Sequence, residues 1–266
     1  MSSAGLSYRR NGLGSPVLLL HGIPGSGATW DAVVEHLAAG VDAVVPDLAG
    51  FGGSPPARSF DDLHAGAQSV AVERLLDELG IRQAVVVGHD FGGPVALLLA
   101  ARRPDLVSAV SLLAANTFTD TPIPFPLSAV TWPLVGPLAA QVLFSKPSLK
   151  MMLRQGVGPG ATPPPAPAYL GERDQQRAIA TIFAGSLVRL GELYRPVEDA
   201  LRSMSIPAAV GWGDHDPFFS VSQGERTAIA ARAKLRVHEG AGHFLPHERP
   251  GEVSADILDL VQLTRS

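Results

Sequence analysis

The chain has 266 residues, no cysteine, and a formal net charge of −4 from 21 Lys and Arg against 25 Asp and Glu. That length suits one α/β domain with an insertion, and the lack of cysteine excludes disulfide and thiolate chemistry. The acidic balance leaves no basic stripe to track phosphates, so nucleic acid is not an expected partner.

Taken in chain order, the N-terminus lacks a charged segment followed by an apolar one, which sets the expectation of a cytoplasmic protein. Pro16-Val17-Leu18-Leu19-Leu20 predicts a short buried strand running into the turn His21-Gly22-Ile23-Pro24. Val44-Val45-Pro46 predicts the next strand, with a glycine-rich exit from Asp47 to Ser54 in which Asp47 reads as a structural loop residue. Phe60 to Leu79 predicts one long helix. Ala84-Val85-Val86-Val87 predicts a third buried strand, and Pro94 to Arg103 the helix after it. Between them lies Gly88-His89-Asp90-Phe91-Gly92, the form of a nucleophile elbow with aspartate at its centre. The plain alternative is a glycine-flanked loop with a helix-capping aspartate. A serine at this place makes an acyl-enzyme, whereas a carboxylate attacks saturated carbon and makes an alkyl ester. The backbone N–H groups of Ile23 and Phe91 are the candidate oxyanion donors.

After a strand at Leu106 to Leu113 the composition changes: eleven of the 23 prolines fall between Pro122 and Pro167. Thr121 to Ser145 is free of charge and long enough to be mistaken for a membrane span, but its prolines and hydroxyl residues argue for a lid with an apolar face instead. Strand character returns at Ile206 to Trp212, followed by Asp214, His215 and Asp216. Leu235 to His238 and a glycine-rich turn then lead to His243, with a helix starting near Pro250.

The ordered set His-Gly-Ile-Pro at 21–24, Asp-Leu-Ala-Gly-Phe-Gly-Gly-Ser at 47–54, Gly-His-Asp-Phe-Gly-Gly at 88–93, Gly-Trp-Gly-Asp-His-Asp-Pro at 211–217 and Gly-Ala-Gly-His at 240–243 resembles the α/β-hydrolases of the epoxide hydrolase and haloalkane dehalogenase branch. The resemblance covers nearly the whole chain. It implies a doubly wound, mostly parallel sheet formed by 1–116 and 198–266, with a helical cap inserted at 117–197. It also implies a nucleophile, acid and base in the order Asp90, Asp216, His243, with Asp214 as the competing carboxylate two residues away.

Leu193-Tyr194-Arg195 resembles the tyrosine-arginine segment near the end of the cap in epoxide hydrolases, whose phenol activates the epoxide oxygen. The second tyrosine usual in that family is missing: alignment puts Ala140 near its place, and Gln141 or Tyr169 are the substitutes, with Trp132 a further candidate for the substrate pocket. The expected reaction is epoxide opening to a vicinal diol through an aspartyl ester on a lipophilic small molecule, without metal or organic cofactor. Haloalkane dehalogenases resemble the chain but place tryptophan where Phe91 stands, and fluoroacetate dehalogenases carry arginines just after the nucleophile that are absent here. An esterase or lactonase, and a non-catalytic ligand receptor, complete the alternatives. No membrane span is expected, and the chain is expected to act as a monomer or homodimer.

Overall fold

Residues 5–37, 40–57, 59–123, 125, 127–167 and 172–265 are described by a computed structural model. The elements in chain order are β1 (Tyr8–Gly12), β2 (Gly14–Leu20), α1 (Asp31–His36), β3 (Gly40–Pro46), α2 (Phe60–Leu63), α3 (Ala65–Glu78), β4 (Ala84–His89), α4 (Gly92–Arg102) and β5 (Val107–Leu113). They continue with α5 (Gly136–Leu143), α6 (Lys146–Gln155), α7 (Arg173–Val188), α8 (Leu190–Ser203), β6 (Ala208–Gly213), α9 (Val221–Ala231), β7 (Lys234–His238), α10 (Leu245–Glu248) and α11 (Pro250–Leu263).

The sheet has seven strands in the order β1-β3-β2-β4-β5-β6-β7. All neighbours run parallel except β1, which pairs antiparallel with β3 at the edge. The central strands are apolar on both faces, as parallel strands covered by helices must be. Alternation at period two then divides them between two cores. Leu18, Leu20 and Val86 join Leu75 of α3, Leu97 of α4 and Leu201 of α8 on one side. Val17, Leu19, Val85 and Val87 join Val33 of α1 and Val253 and Ile257 of α11 on the other. Each such side chain contributes roughly 1.5–3 kcal/mol by leaving water.

The chain leaves β2 for β3 on one side and returns to β4 on the other, so β2 and β4 flank the point where the winding reverses. Their pairing ends at Leu20 opposite Gly88, so the turn after β2 and the elbow after β4 open side by side. This is where an open parallel sheet places its ligands.

Two departures from the sequence reading have local causes. The helix expected over 60–79 is broken at His64, whose extended backbone and Nδ1, accepting from Gly66 N and Ala67 N at 3.1 and 3.4 Å, start a second helix at Ala65. Strand β1 was not anticipated because its residues mostly face solvent; Arg10 on it binds the buried Asp42 at 2.6 Å. Helix α8 runs through position 197: its first half carries Tyr194, which lines the candidate site, while Val197, Ala200 and Leu201 are buried in the core. The charge-free run forms a short helical turn at Leu127–Thr131 and the eight-residue α5, and no helix among the described residues is long and apolar enough to cross a membrane.

Candidate active site

Asp90 follows β4 with φ of 50°, a left-handed conformation that a non-glycine residue adopts only where its surroundings hold it. Gly92 makes that turn feasible, since a Cβ there would run into the Leu20 carbonyl of β2. The two oxygens of the carboxylate meet different partners. Oδ2 accepts from Ile23 N at 2.8 Å, and Phe91 N also hydrogen-bonds the carboxylate. Oδ1 lies 3.7 Å from His243 Nε2.

His243 Nδ1 meets Asp216 Oδ2 at 2.9 Å, and the Asp216 side chain is fully buried. The other Asp216 oxygen accepts from Phe218 N at 2.8 Å and Phe219 N at 3.0 Å, which fixes the carboxylate toward the imidazole. Asp214 instead pairs with the half-exposed His215 at 2.8 Å. Phe218, Phe219 and Phe244 surround the His243 ring, with centroids 5.0, 5.7 and 5.2 Å away.

Burial pushes the Asp90 carboxyl above its ordinary range, against the His243 charge and the Ile23 and Phe91 N–H groups, with Asp216 adding to the rise. Burial draws His243 down, but the charge and hydrogen bond of Asp216, together with the charges of Asp90 and Glu248, hold it above its ordinary value. His89 is drawn to about 3 by burial and by the His243 charge, so it is neutral; its Nε2–H donates to the His243 carbonyl at 2.9 Å. His21 is likewise held neutral by burial, and its Nε2 accepts from Leu48 N at 3.0 Å. Both rings brace backbone around the site. Asp47 does the same, accepting from Gly27 N and Gly53 N at 2.7 and 2.8 Å.

The histidine loop is tied to the end of α6. Glu248 Oε2 accepts from Gly158 N at 2.7 Å and Gly242 N at 2.9 Å, while Oε1 accepts from Phe244 N at 3.1 Å. His243 N itself donates to Gly156 O at 2.7 Å. The contact is close enough that a Cβ on Gly242 would overlap the Gly156 carbonyl.

Above Asp90 lies a mostly apolar cavity of about 200 Å³, walled by Phe91, Phe144, Met152, Ile182, Phe183 and Phe218, among others. Phe144 of the α5–α6 link and Phe183 of α7 stack at 4.6 Å to form part of it. Few polar groups line it: Asp90, His243, Asn116, Thr121, Ser186 and Tyr194. Burial and the Asp90 charge push the Tyr194 phenol above its ordinary value, so it stays protonated, and it shares a hydrogen bond with Asn116. Asn116 Oδ1 is already accepting from Phe118 N at 3.2 Å and Thr121 Oγ1 at 2.5 Å. The amide nitrogen is therefore the Asn116 group that can donate to the phenol oxygen, in keeping with the way Asn116 opposes the rise of the phenol.

The expected pocket residues Trp132 and Gln141 lie outside this cavity. Trp132 is 53% exposed and Gln141 is exposed on α5, because that helix turns Gly136 and Ala140 inward and carries position 141 to solvent. Tyr169 lies outside the described residues. Asn116 and Thr121 were not singled out from the sequence; the available signal was an asparagine three residues past a buried strand, at the sheet edge where ligand-binding loops gather.

A sequence profile described as the alpha/beta hydrolase fold matches residues 15–250. Epoxide hydrolase A of Mycobacterium tuberculosis (strain ATCC 25618 / H37Rv) is 28% identical over 296 residues, covering 93% of this chain and 91% of that protein. The solved structure of the epoxide hydrolase CorEH without ligand superposes with a TM-score of 0.80 at 23% identity, covering 97% of this chain and 95% of that one. An ancestral haloalkane dehalogenase, AncHLD2, superposes almost as well, with a TM-score of 0.79 at 24% identity over 97% and 96% of the two chains. At these identities the two structures share the fold.

Proposed function

Given that the chain belongs to the alpha/beta hydrolase fold family, we propose that this hydrolase opens a small lipophilic epoxide to a vicinal diol through an ester on Asp90. The observation that carries the reading is the division of labour between the two Asp90 oxygens: Oδ2 is held by the backbone N–H of Ile23, while Oδ1 is the oxygen beside His243.

In the first step Asp90 Oδ1 attacks an epoxide carbon in line with the breaking C–O bond, and the released oxygen takes the proton of Tyr194. Desolvation in the apolar cavity strengthens both the nucleophile and the hydrogen bond. In the second step His243 Nε2 removes a proton from water, and the water oxygen adds to Asp90 Cγ. Charge develops on Oδ2, where Ile23 N–H and Phe91 N–H receive it. The Cγ–Oδ1 bond then breaks, the diol oxygen takes the proton back from His243, and the water oxygen stays in the Asp90 carboxylate. The second proton of the water is lost from the Asp90 carboxyl, which restores the carboxylate, and a proton taken up by the Tyr194 phenolate restores the phenol. The helices between β5 and β6, over 117–197, act as the cap that keeps bulk water from the carboxylate.

Isotope labelling tests this directly. In a single turnover in ¹⁸O water the label is expected in Asp90, recovered on its peptide by mass spectrometry, while the diol stays unlabelled; label in the diol at the first turnover would mean that water attacks the substrate directly.

The acid is tested by a paired substitution. Asp216→Asn is expected to slow ester hydrolysis on the order of 10²–10⁴-fold, because the imidazolium loses its charged partner, whereas Asp214→Asn on the exposed loop is expected to stay within about twofold, this wide contrast following from burial. Pre-steady-state decay of the ester is the measurement, and a reversed pattern would transfer the role to Asp214.

The competing reading, halide displacement by the same carboxylate, is favoured by the AncHLD2 likeness. A departing halide needs hydrogen-bond donors and no proton, whereas the cavity that Asp90 lines also holds a phenol kept protonated by burial and the Asp90 charge. That favours an epoxide.

A further inference from the structure

The charge-free run has an outer face that the reaction leaves unused. Leu134, Leu138 and Val142, spaced four apart along α5 and the turn leading into it, are 96%, 65% and 59% exposed, and Trp132 stands exposed beside them. Residues four apart share one side of a helix, so these form an apolar stripe open to solvent. Helix α6 follows at once and is tied to α5 by Ser148 Oγ, which donates to the Val142 carbonyl at 2.8 Å. Its exposed face repeats the same spacing with Lys146, Lys150 and Arg154, none of whose side chains has an ion pair or hydrogen bond among the described residues.

The charge around this face is also one-sided. Residues 121–171 contain those three cations and not one Asp or Glu, in a chain whose net charge is −4, and two of its three lysines stand here. An apolar stripe beside cations whose side chains have no partner among the described residues, with a tryptophan at its margin, is the pattern of a surface that settles into the headgroup region of an anionic bilayer. A second copy of the chain fits less well. A two-fold contact through this face would bring the cations of both copies to one interface to which neither α5 nor α6 contributes a carboxylate.

We propose that the outer face of α5 and α6 docks on an anionic lipid surface. The inner side of the same segment, through Phe144 and Met152, walls the cavity, so a lipophilic molecule dissolved in the bilayer is covered by the elements that touch the bilayer. The proposal concerns where the protein sits and holds whatever bond it cleaves.

The chain carries its own reporter: Trp30 and Trp212 are fully buried, and Trp132 is 53% exposed. On vesicles of phosphatidylglycerol and phosphatidylcholine the emission of the full-length protein is expected to shift to the blue, with co-flotation of the protein. Phosphatidylcholine alone, or high salt, is expected to weaken both sharply. The double variant Lys146→Gln, Lys150→Gln is expected to reduce partitioning about thirtyfold, and Leu138→Glu to abolish it, with unchanged circular dichroism. Both lysines are exposed, so the double variant decides the matter even if Leu138→Glu folds poorly. No binding to anionic vesicles, equal binding to neutral ones, or a dimer in light scattering that Leu138→Glu dissociates would each overturn the proposal.

Discussion

His243→Gln is expected to leave the protein able to react once and unable to finish. Asp90 needs no base to become a nucleophile, since the His243 charge and the Ile23 and Phe91 N–H groups favour its carboxylate form against burial. The water that frees the product does need one. The rate of ester hydrolysis is expected to fall on the order of 10²–10⁴-fold or more, and the intact-protein mass to rise on mixing with substrate. The size of the rise identifies the substrate class: ring opening is an addition and adds the whole mass of an epoxide, whereas an alkyl halide adds its mass less that of the hydrogen halide. A normal turnover rate, or an adduct on another residue, would sink the assignment. The order of events also has an electrostatic logic. The Asp90 charge is one of the influences that raise the affinity of His243 for its proton, and esterification removes that charge. His243 is therefore a weaker proton holder, and a more available base, in the intermediate than in the resting enzyme.

Tyr194→Phe is expected to affect the opposite half of the cycle. Loss of a positioned acid should slow alkylation by an epoxide on the order of 10²–10⁴-fold while the ester, once formed, decays at the wild-type rate. Stopped-flow measurement of the two phases separates them. Asn116→Leu should shift the same phase less, because it removes the donor to the phenol oxygen and leaves the phenol in place. Since burial and the Asp90 charge raise the phenol above its ordinary 10.0, the protonated form persists as pH rises, and wild-type alkylation should show no alkaline loss below pH 10. Unchanged epoxide alkylation by Tyr194→Phe, with an alkyl halide consumed well by both proteins, would favour halide displacement.

Much of the fold was legible because central parallel strands leave strong traces. Val85, Val86 and Val87, or Leu18, Leu19 and Leu20, are apolar on both faces and admit few readings, and the turns after them carry the glycines that the reversal of winding requires. What the sequence hid was marked by side chains acting locally or across space. The cap at His64 looks like any helical residue until its backbone is seen to be extended. Tyr8 to Gly12 has too little apolar content to announce a strand. The site divides in the same way: Asp90 and His243 sit in backbone-shaping motifs, whereas Asn116 belongs to no motif and is found through its partners Thr121 and Tyr194. Trp132 and Gln141 were misplaced because the inward direction of a short helix after a proline-rich turn depends on packing that no periodicity records.

The Glu248 clasp ties the base to one particular part of the molecule above it. Gly156 and Gly158, at the end of α6, and Gly242 and Phe244, on either side of His243, are stitched by one carboxylate and one backbone hydrogen bond. Any motion that lifts the end of α6 pulls on the loop that seats the imidazole 3.7 Å from Asp90. That end behaves as a fixed pin, and a movement that admits substrate without disarming the base has to swing elsewhere, where α5, α7 and the first half of α8 meet over Phe183 and Tyr194.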